Sequence, residues 1–221
     1  MADRTWAPLF FDLAGRRVVV VGGGSVAERK VRMLAAAGAR VIIVAPEIAA
    51  SIRTLASAGK VELREKRFAE EDLADVALAF AATADAEVNR AVAAAGRSRG
   101  IAVNLADQPD LCDFIVPATF ERGPITVAFS TGGKSPALSR YLREALEEEI
   151  GPELGRMAGL LGALREPAKE AIPTDEGRAD FFSAILRSPA RELLASGEEE
   201  AALEAVRALC HAYGVPLPAK I

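Results

Sequence analysis

The sequence has few of the residues that build metal and redox sites. It contains one histidine and two cysteines in 221 residues. Cys112 and Cys210 lie far apart, outside any CxxC pair or Cys/His cluster, so the sequence indicates neither a disulfide framework nor a zinc site. Because it offers no set of imidazole or thiolate ligands, we expect no permanently bound metal ion.

The sequence also lacks long apolar runs and an excess of positive charge. No apolar stretch approaches the ~20 residues that a membrane-spanning helix needs, and no signal-peptide hydrophobic region follows Met1. We therefore expect a cytoplasmic location and no membrane partner. Lysine and arginine total 27 against 31 aspartate and glutamate residues, a formal net charge of −4. This balance disfavours nucleic acid as the main partner, because neutralising phosphates needs a basic face.

Short apolar runs alternate with helical stretches in the first half of the chain. The candidate strands are residues 18–21, 41–44, 61–63, 77–82 and 101–103. The first, second and fourth are apolar without alternation, which is typical of parallel strands buried on both faces. The series predicts an α/β fold, a Rossmann-like doubly wound parallel sheet with right-handed crossovers.

The pattern changes after Asp107. Two strand-like runs, 118–121 and 125–130, flank Arg122-Gly123-Pro124 and predict a hairpin, and Ser135-Pro136 predicts the N-cap and first residue of a helix. The rest of the chain has a helical pattern with breaks near Pro167, Pro173, Pro189 and Gly197.

These changes predict three parts: a dinucleotide-binding domain over 1–112, a small α+β dimerisation segment over 113–150 and a helical C-terminal domain over 151–221. The two-stranded sheet is too slight to stand alone. We therefore predict a homodimer whose subunits meet through this sheet and the helix after Ser135, about a two-fold axis.

A glycine-rich turn follows the first strand. Gly22-Gly23-Gly24-Ser25-Val26-Ala27 fits G-x-G-x-x-A: Gly22 permits the tight turn, Gly24 lets a pyrophosphate approach the backbone, and Ala27 lets helix and strand pack closely. The helix N-terminus would face the phosphates. Ser25 and Glu28 also match a capping box, so a tight strand–helix turn without a ligand is the alternative.

The second strand ends in Ala45-Pro46, and Glu47 is the first acidic side chain after it. An acidic residue about 20 positions beyond the glycine motif contacts the adenosine ribose in such folds. Since no arginine occupies this turn, we expect NAD rather than NADP. The alternative is that Glu47 only favours a helix N-terminus.

Four motifs occur in order between Leu9 and Glu148. They are the glycine turn with its flanks (19–30), Ala81-Ala82-Thr83 with Val88-Asn89, Val103-Asn104-Leu105-Ala106-Asp107 and Thr131-Gly132-Gly133-Lys134-Ser135-Pro136. Together they resemble the precorrin-2 dehydrogenase and sirohydrochlorin ferrochelatase module of siroheme synthase. Members of that family oxidise precorrin-2, a tetrapyrrole, to sirohydrochlorin with NAD, and some then insert ferrous iron. The sequence leaves open whether this chain does both.

The resemblance implies roles for particular residues. Asp107 aligns with the family's catalytic aspartate. The residues implied to contact the cofactor are Ser25, Val26, Pro46, Glu47 and Thr83, beside Gly22 and Gly24. Those implied to contact the substrate are Thr131, Gly132, Gly133, Ser135 and Arg140. Ala84 departs from the family, where many relatives carry Asp or Asn, so a polar contact near the cofactor is expected to be absent.

The position of Asp107 in the sequence gives a separate, chemical argument for a catalytic role. It follows the fifth strand and should emerge at the carboxyl edge of the sheet, where open α/β folds bind ligands. A carboxylate there can accept a proton as a general base. The alternative for Asp107 is that it only forms the turn Asp107-Gln108-Pro109-Asp110. The alternative for Arg140 is that it is a charged side chain of a helix surface, exposed to solvent.

Other functional classes remain as competitors. A non-catalytic NAD(H)-sensing module would need the same turn but no base, and Asp107 disfavours it. Gly133-Lys134-Ser135 is not a P-loop, because Ala128 stands where the Walker pattern requires glycine. A short-chain oxidoreductase is disfavoured because we find no Tyr-x-x-x-Lys pair.

Overall fold

Two units make up the chain, residues 1–116 and 117–221. They are seen in a computed structural model that describes residues 4–57, 59 and 61–218.

Five parallel strands form the sheet of the first unit. They are β1 (Arg17–Val21), β2 (Arg40–Val44), β3 (Val61–Arg64), β4 (Leu78–Ala81) and β5 (Ala102–Leu105), in the spatial order β3-β2-β1-β4-β5. Helices α1 (Ser25–Ala36) and α2 (Ala50–Ser57) pack on one face, and α3 (Ala86–Ser98) packs on the other. The predicted Rossmann-like doubly wound sheet is confirmed, with β5 ending two residues later than expected.

The apolar runs form strands because both faces of the sheet are covered. Val18 and Val20 of β1 lie on the face of the sheet covered by α1, and Val19 and Val21 lie on the face covered by α3. All four are at most 2% exposed. Helix α1 buries its apolar stripe of Ala27, Val31 and Leu34. It ends as predicted before Gly38, where the N–H of Ala39 donates to the carbonyl of Leu34 at 3.0 Å.

The carboxyl ends of the strands meet in one row, which positions the site. The first residue beyond each of four strands still donates a backbone hydrogen bond to its neighbouring strand: Ala45 to Arg64, Gly22 to Val44, Ala82 to Val21 and Ala106 to Ala81. The loops after β1 and β2 pass to the α1 and α2 face, whereas those after β3 and β4 pass to the α3 face. This reversal opens a crevice above the edge of the sheet, the usual ligand position in such folds.

The second unit begins with the predicted hairpin. Strands β6 (Ala118–Arg122) and β7 (Ile125–Phe129) pair antiparallel around a two-residue Gly123-Pro124 turn. Helix α4 (Pro136–Glu149) follows, and the Ser135 hydroxyl accepts from the N–H of Leu138 at 3.1 Å, which confirms the predicted cap.

Five helices complete this unit: α5 (Pro152–Ala163), α6 (Arg165–Ala171), α7 (Asp175–Arg187), α8 (Ala190–Ser196) and α9 (Glu199–Ala212). They enclose a core built around Met157, Leu164, Phe181, Ile185 and Leu194. The first break lies at Leu164 rather than at Pro167, because a proline in the first helical turn has no N–H to leave unpaired. Within the described ranges, no helix is long and apolar enough to cross a membrane.

The boundaries of the three predicted parts stay a prediction. Residues Asp113 to Val116 are part of the first unit: the N–H of Asp113 donates to the carbonyl of Val103 at 2.8 Å, and Phe114 and Val116 pack on the apolar core between the sheet and α1.

Candidate functional site

The three glycines of the turn have three different reasons to be glycine. Gly22 has φ of +130°, and a Cβ there would overlap the carbonyl oxygen of Ala82. A Cβ at Gly23 would overlap the carbonyl oxygen of Glu47, and the Gly23 carbonyl accepts from the N–H of Ala49 at 2.9 Å. Gly24 has an ordinary φ of −92°, and a Cβ there would meet no described atom within 4 Å. The fold requires Gly22 and Gly23, whereas Gly24 only keeps space open.

Ser25 and Val26 are the first two residues of α1, and no side chain caps the helix. The capping box predicted for Ser25 and Glu28 is wrong, because Gly24 occupies the cap position. Glu28 instead accepts from the Ser51 hydroxyl at 2.6 Å and from Arg32 at 2.7 Å, and these bonds, Ser51 first, hold the pKa of Glu28 below its ordinary value. The N–H groups of the first turn therefore remain directed at the open space beside Gly24, where they can bind an anion.

Pro46 and Glu47 lie next to this turn, and both are exposed. The close approach of Glu47 to Gly23 fixes the distance between the loop after β2 and the start of α1. The structure thus brings together Gly22, Gly24, Ser25, Pro46 and Glu47 at one edge of the sheet.

Thr83 lies beyond β4 in a turn that Asn89 holds. Asn89 is 4% exposed, and its side chain accepts from the N–H and hydroxyl of Thr83 at 3.2 and 2.8 Å and donates to its carbonyl at 3.0 Å. Ala84 is exposed, and Asp85 caps α3 by accepting from the N–H of Glu87 at 2.8 Å. Sequence reasoning noted Asn89 only as part of a motif and missed that it orders this turn.

Asp107 lies two residues beyond β5 and is exposed. Among the described residues its carboxylate has no hydrogen-bond or ion-pair partner. The carboxylate is therefore open to solvent. One strand, β4, lies between β5 and β1, so the backbone near Asp107 lies two strand spacings, about 10 Å, from the glycine turn along the edge of the sheet.

The loop that carries Asp107 is closed at its base. The buried Cys112 thiol accepts from the N–H of Leu105 at 3.1 Å, and burial raises the pKa of this thiol. Asn104, 7% exposed, donates to the carbonyl of Phe114 at 2.9 Å. These bonds hold the two ends of the loop together while Asp107 stays outside.

The residues predicted to contact substrate lie in the second unit, four of them between β7 and α4 and Arg140 on α4 itself. The Thr131 hydroxyl accepts from the N–H of Ser135 at 3.2 Å and lies 3.2 Å from the Ser139 hydroxyl. Gly132 and Gly133 both have positive φ and are exposed. Arg140 is exposed on α4. The role of this turn toward substrate stays a prediction.

Acidic, histidine and cysteine side chains do not gather into a metal site. Over residues 4–57, 59 and 61–218, no group of three or more of them could hold a metal ion.

The fold and the turn define a class of protein. A parallel sheet ordered β3-β2-β1-β4-β5, with a G-x-G-x-x-A turn entering an uncapped helix, makes the first unit a Rossmann-type NAD(P)-binding domain. Three family models match in order along the chain: the NAD(P)-binding model at residues 9–118, the sirohaem biosynthesis protein central model at 122–149 and the sirohaem synthase dimerisation region at 153–209.

Known proteins agree with the family models. The chain is 47% identical over 153 residues to siroheme synthase of Pseudomonas paraeruginosa, covering 69% of this chain and 33% of that protein. It is 47% identical over 154 residues to siroheme synthase of Nitrosomonas europaea, covering 69% and 32%. Among solved structures, SirC, a precorrin-2 dehydrogenase, matches with a TM-score of 0.75 at 27% identity, over 91% of this chain and 99% of that one.

The chain belongs to the siroheme synthase family. It spans about a third of the length of the curated relatives that it matches.

Proposed function

We propose that this protein catalyses the NAD-dependent oxidation of precorrin-2 to sirohydrochlorin in siroheme biosynthesis. The observation that carries the proposal is Asp107, an exposed carboxylate without a described partner, at the same edge of the sheet as the glycine turn. The similarity to siroheme synthases and to a precorrin-2 dehydrogenase supports the choice of substrate.

The residues at the turn fit NAD. The open space beside Gly24 admits the pyrophosphate, the N–H groups of Ser25 and Val26 can donate to it, and the exposed Glu47 can accept from the adenosine ribose hydroxyls. NAD supplies the hydride acceptor when bound. The protein has to hold it in place, orient the substrate and remove a proton.

We assign Asp107 the role of accepting the proton. Forming the new double bond removes two hydrogens from precorrin-2, one as a hydride to NAD and one as a proton, and the Asp107 carboxylate accepts the proton as a general base. The closed base of its loop, at Leu105 and Cys112, keeps the carboxylate near one position. Thr131, Gly132, Gly133, Ser135 and Arg140 remain the predicted substrate contacts.

A non-catalytic NAD(H)-sensing module is the competing function. It would use the same turn and the same Glu47, but it needs no free carboxylate beside the crevice. Asp107 is the feature that this alternative leaves without a purpose.

Further properties belong to the proposal. We assign the protein a homodimeric state and a cytoplasmic location. The match to the dimerisation-region model supports the dimer, as do Leu138 and Tyr141 of α4, which are 47% and 66% exposed in the single chain. Ferrous iron is assigned only as a prospective second substrate, to be tested by adding it after sirohydrochlorin has formed.

The test is Asp107→Asn in an anaerobic assay with precorrin-2 and NAD. The substitution keeps size and turn-forming ability and removes basicity, so we expect dehydrogenation to fall about 10²–10⁴-fold with NAD affinity unchanged. Asp110→Asn, an exposed aspartate of the same loop, is the matched control and should stay active. A fully active Asp107→Asn protein would show that Asp107 only shapes its loop and that water or the substrate accepts the proton, whereas a parent protein that binds NAD but does not oxidise precorrin-2 would favour the sensor.

A further inference from the structure

A buried carboxylate holds two cations beyond β3. Asp72 lies on a short 3₁₀ turn, Glu70–Leu73, and is 2% exposed. Its oxygens lie 2.8 Å from Nζ of Lys66 and 3.1 Å from Nη1 of Arg64, and the N–H of Ala69 donates to it at 3.0 Å. Burial opposes the ionisation of Asp72, but these donors outweigh it and hold the pKa of the carboxyl below its ordinary value. The Asp72 carboxylate is therefore ionised and pairs with both Lys66 and Arg64.

The strand that carries Arg64 ends beside the turn that would take the adenosine ribose. Arg64 pairs with Val44 across the sheet, and its carbonyl accepts from the N–H of Ala45 at 3.2 Å. Ala45 directly precedes Pro46-Glu47, the turn assigned to the ribose. The loop after β2, which carries Glu47, passes to one face of the sheet, and the loop after β3, which carries Lys66 and Asp72, passes to the other face. The two loops leave neighbouring strands that are about 5 Å apart.

The position of these charges matters for the choice of dinucleotide. NADP differs from NAD by a phosphate on the adenosine ribose, and a basic side chain near that ribose favours it. The Arg64 and Lys66 side chains are 26% and 47% exposed, so they are accessible to solvent, but Asp72 holds both, and Glu62 also holds Arg64, with 2.8 Å between its Oε1 and Nε of Arg64. Neither is free to bind a phosphate while that pairing persists.

We propose that Asp72 is a specificity-determining residue, which withholds Lys66 from the 2′-phosphate and thereby disfavours NADP; Arg64 would stay paired with Glu62 even without Asp72. This inference rests on the dinucleotide binding proposed above. It adds to the contribution of Glu47, which would act by accepting hydrogen bonds from the ribose. Arg67, also on this loop, is exposed and has no ion pair within the described chain; its charge is the same in the parent protein and in every variant below.

The experiment compares NAD and NADP binding by fluorescence titration of the full chain. Asp72→Asn keeps the shape of the side chain and removes its charge. We expect NADP to bind up to about fivefold more tightly, the effect of one newly available ion pair, with NAD affinity unchanged. Adding Lys66→Gln to this variant should remove most of the gain. Glu71→Gln, which removes a charge from the exposed neighbour on the same turn, is the matched control and should leave the ratio of the two affinities unchanged.

An unchanged affinity ratio in Asp72→Asn overturns the proposal. If that variant does not fold, the ratio of NAD and NADP affinities is measured instead for Lys66→Gln in the parent protein. Since Asp72 holds Lys66, the ratio should not change, and a loss of NADP affinity would show that Lys66 already binds the 2′-phosphate and would overturn the inference. Failure of the parent to bind either dinucleotide is a distinct result, which refutes the proposed function itself.

Discussion

Gly24→Val separates what a ligand needs at the turn from what the fold needs. Gly24 has extended backbone angles that valine adopts readily, and a Cβ there meets no described atom within 4 Å. Losing glycine at a helix N-cap costs up to about 1 kcal/mol, which the lower entropy of the unfolded chain partly offsets. We therefore expect the free energy of unfolding to change by less than about 1 kcal/mol.

NAD binding should respond very differently. The valine side chain would occupy the space in which the pyrophosphate meets the first N–H groups of α1. Losing two hydrogen bonds to a charged group, at about 1.5–3 kcal/mol each, corresponds to a loss of affinity of roughly 100-fold or more.

Gly22→Ala is the matched comparison within the same turn. Its Cβ would overlap the carbonyl oxygen of Ala82, and φ there is +130°. Strain and backbone displacement should lower the free energy of unfolding by about 3 kcal/mol. Chemical denaturation and fluorescence titration with NAD measure both quantities for each variant. Normal NAD binding by Gly24→Val would refute the assignment of the turn to the pyrophosphate, and destabilisation equal to that of Gly22→Ala would show a structural role instead.

Three further outcomes are expected. Asn89→Ala should lower the free energy of unfolding by about 2 kcal/mol, because it leaves the N–H and carbonyl of Thr83 without partners, and it should weaken NAD binding; an unchanged denaturation midpoint would contradict this. Since the folded-state pKa of Asp72 is lowered, its stabilising contribution is present above the ordinary carboxyl pKa of about 4 and is lost as pH falls below it; acid titration of Asp72→Asn should therefore show a shallower loss of stability than the parent. Light scattering at micromolar concentration should give a dimer, and a monomer would refute the assigned assembly.

Local patterns explain why much of the structure could be predicted from the sequence. The G-x-G-x-x-A turn, the hairpin at Gly123-Pro124 and the Ser135-Pro136 helix start each depend on residues within a few positions of one another. Their backbone preferences therefore act before any tertiary contact forms. The buried strands were predicted for a related reason, since continuous apolar runs satisfy a sheet that is covered on both faces.

Contacts between distant segments could not be read in the same way. Gly23 has to be glycine because the carbonyl of Glu47, on the loop after β2, packs against it. Glu28 likewise has a distant partner, since its carboxylate accepts from the hydroxyl of Ser51 on α2. No local pattern shows either partner.

The amino-acid sequence by itself determined the class of fold, the glycine turn and the candidate base, because each depends on residue types at short spacing. Only the tertiary structure decided that Gly24 is the glycine the fold does not require, that Asn89 orders the turn at Thr83 and that Asp72 holds two cations beyond β3. The physical reason is the order of the strands: it brings the ends of β1, β2, β3 and β4 to one edge and gives these side chains neighbours from other parts of the chain.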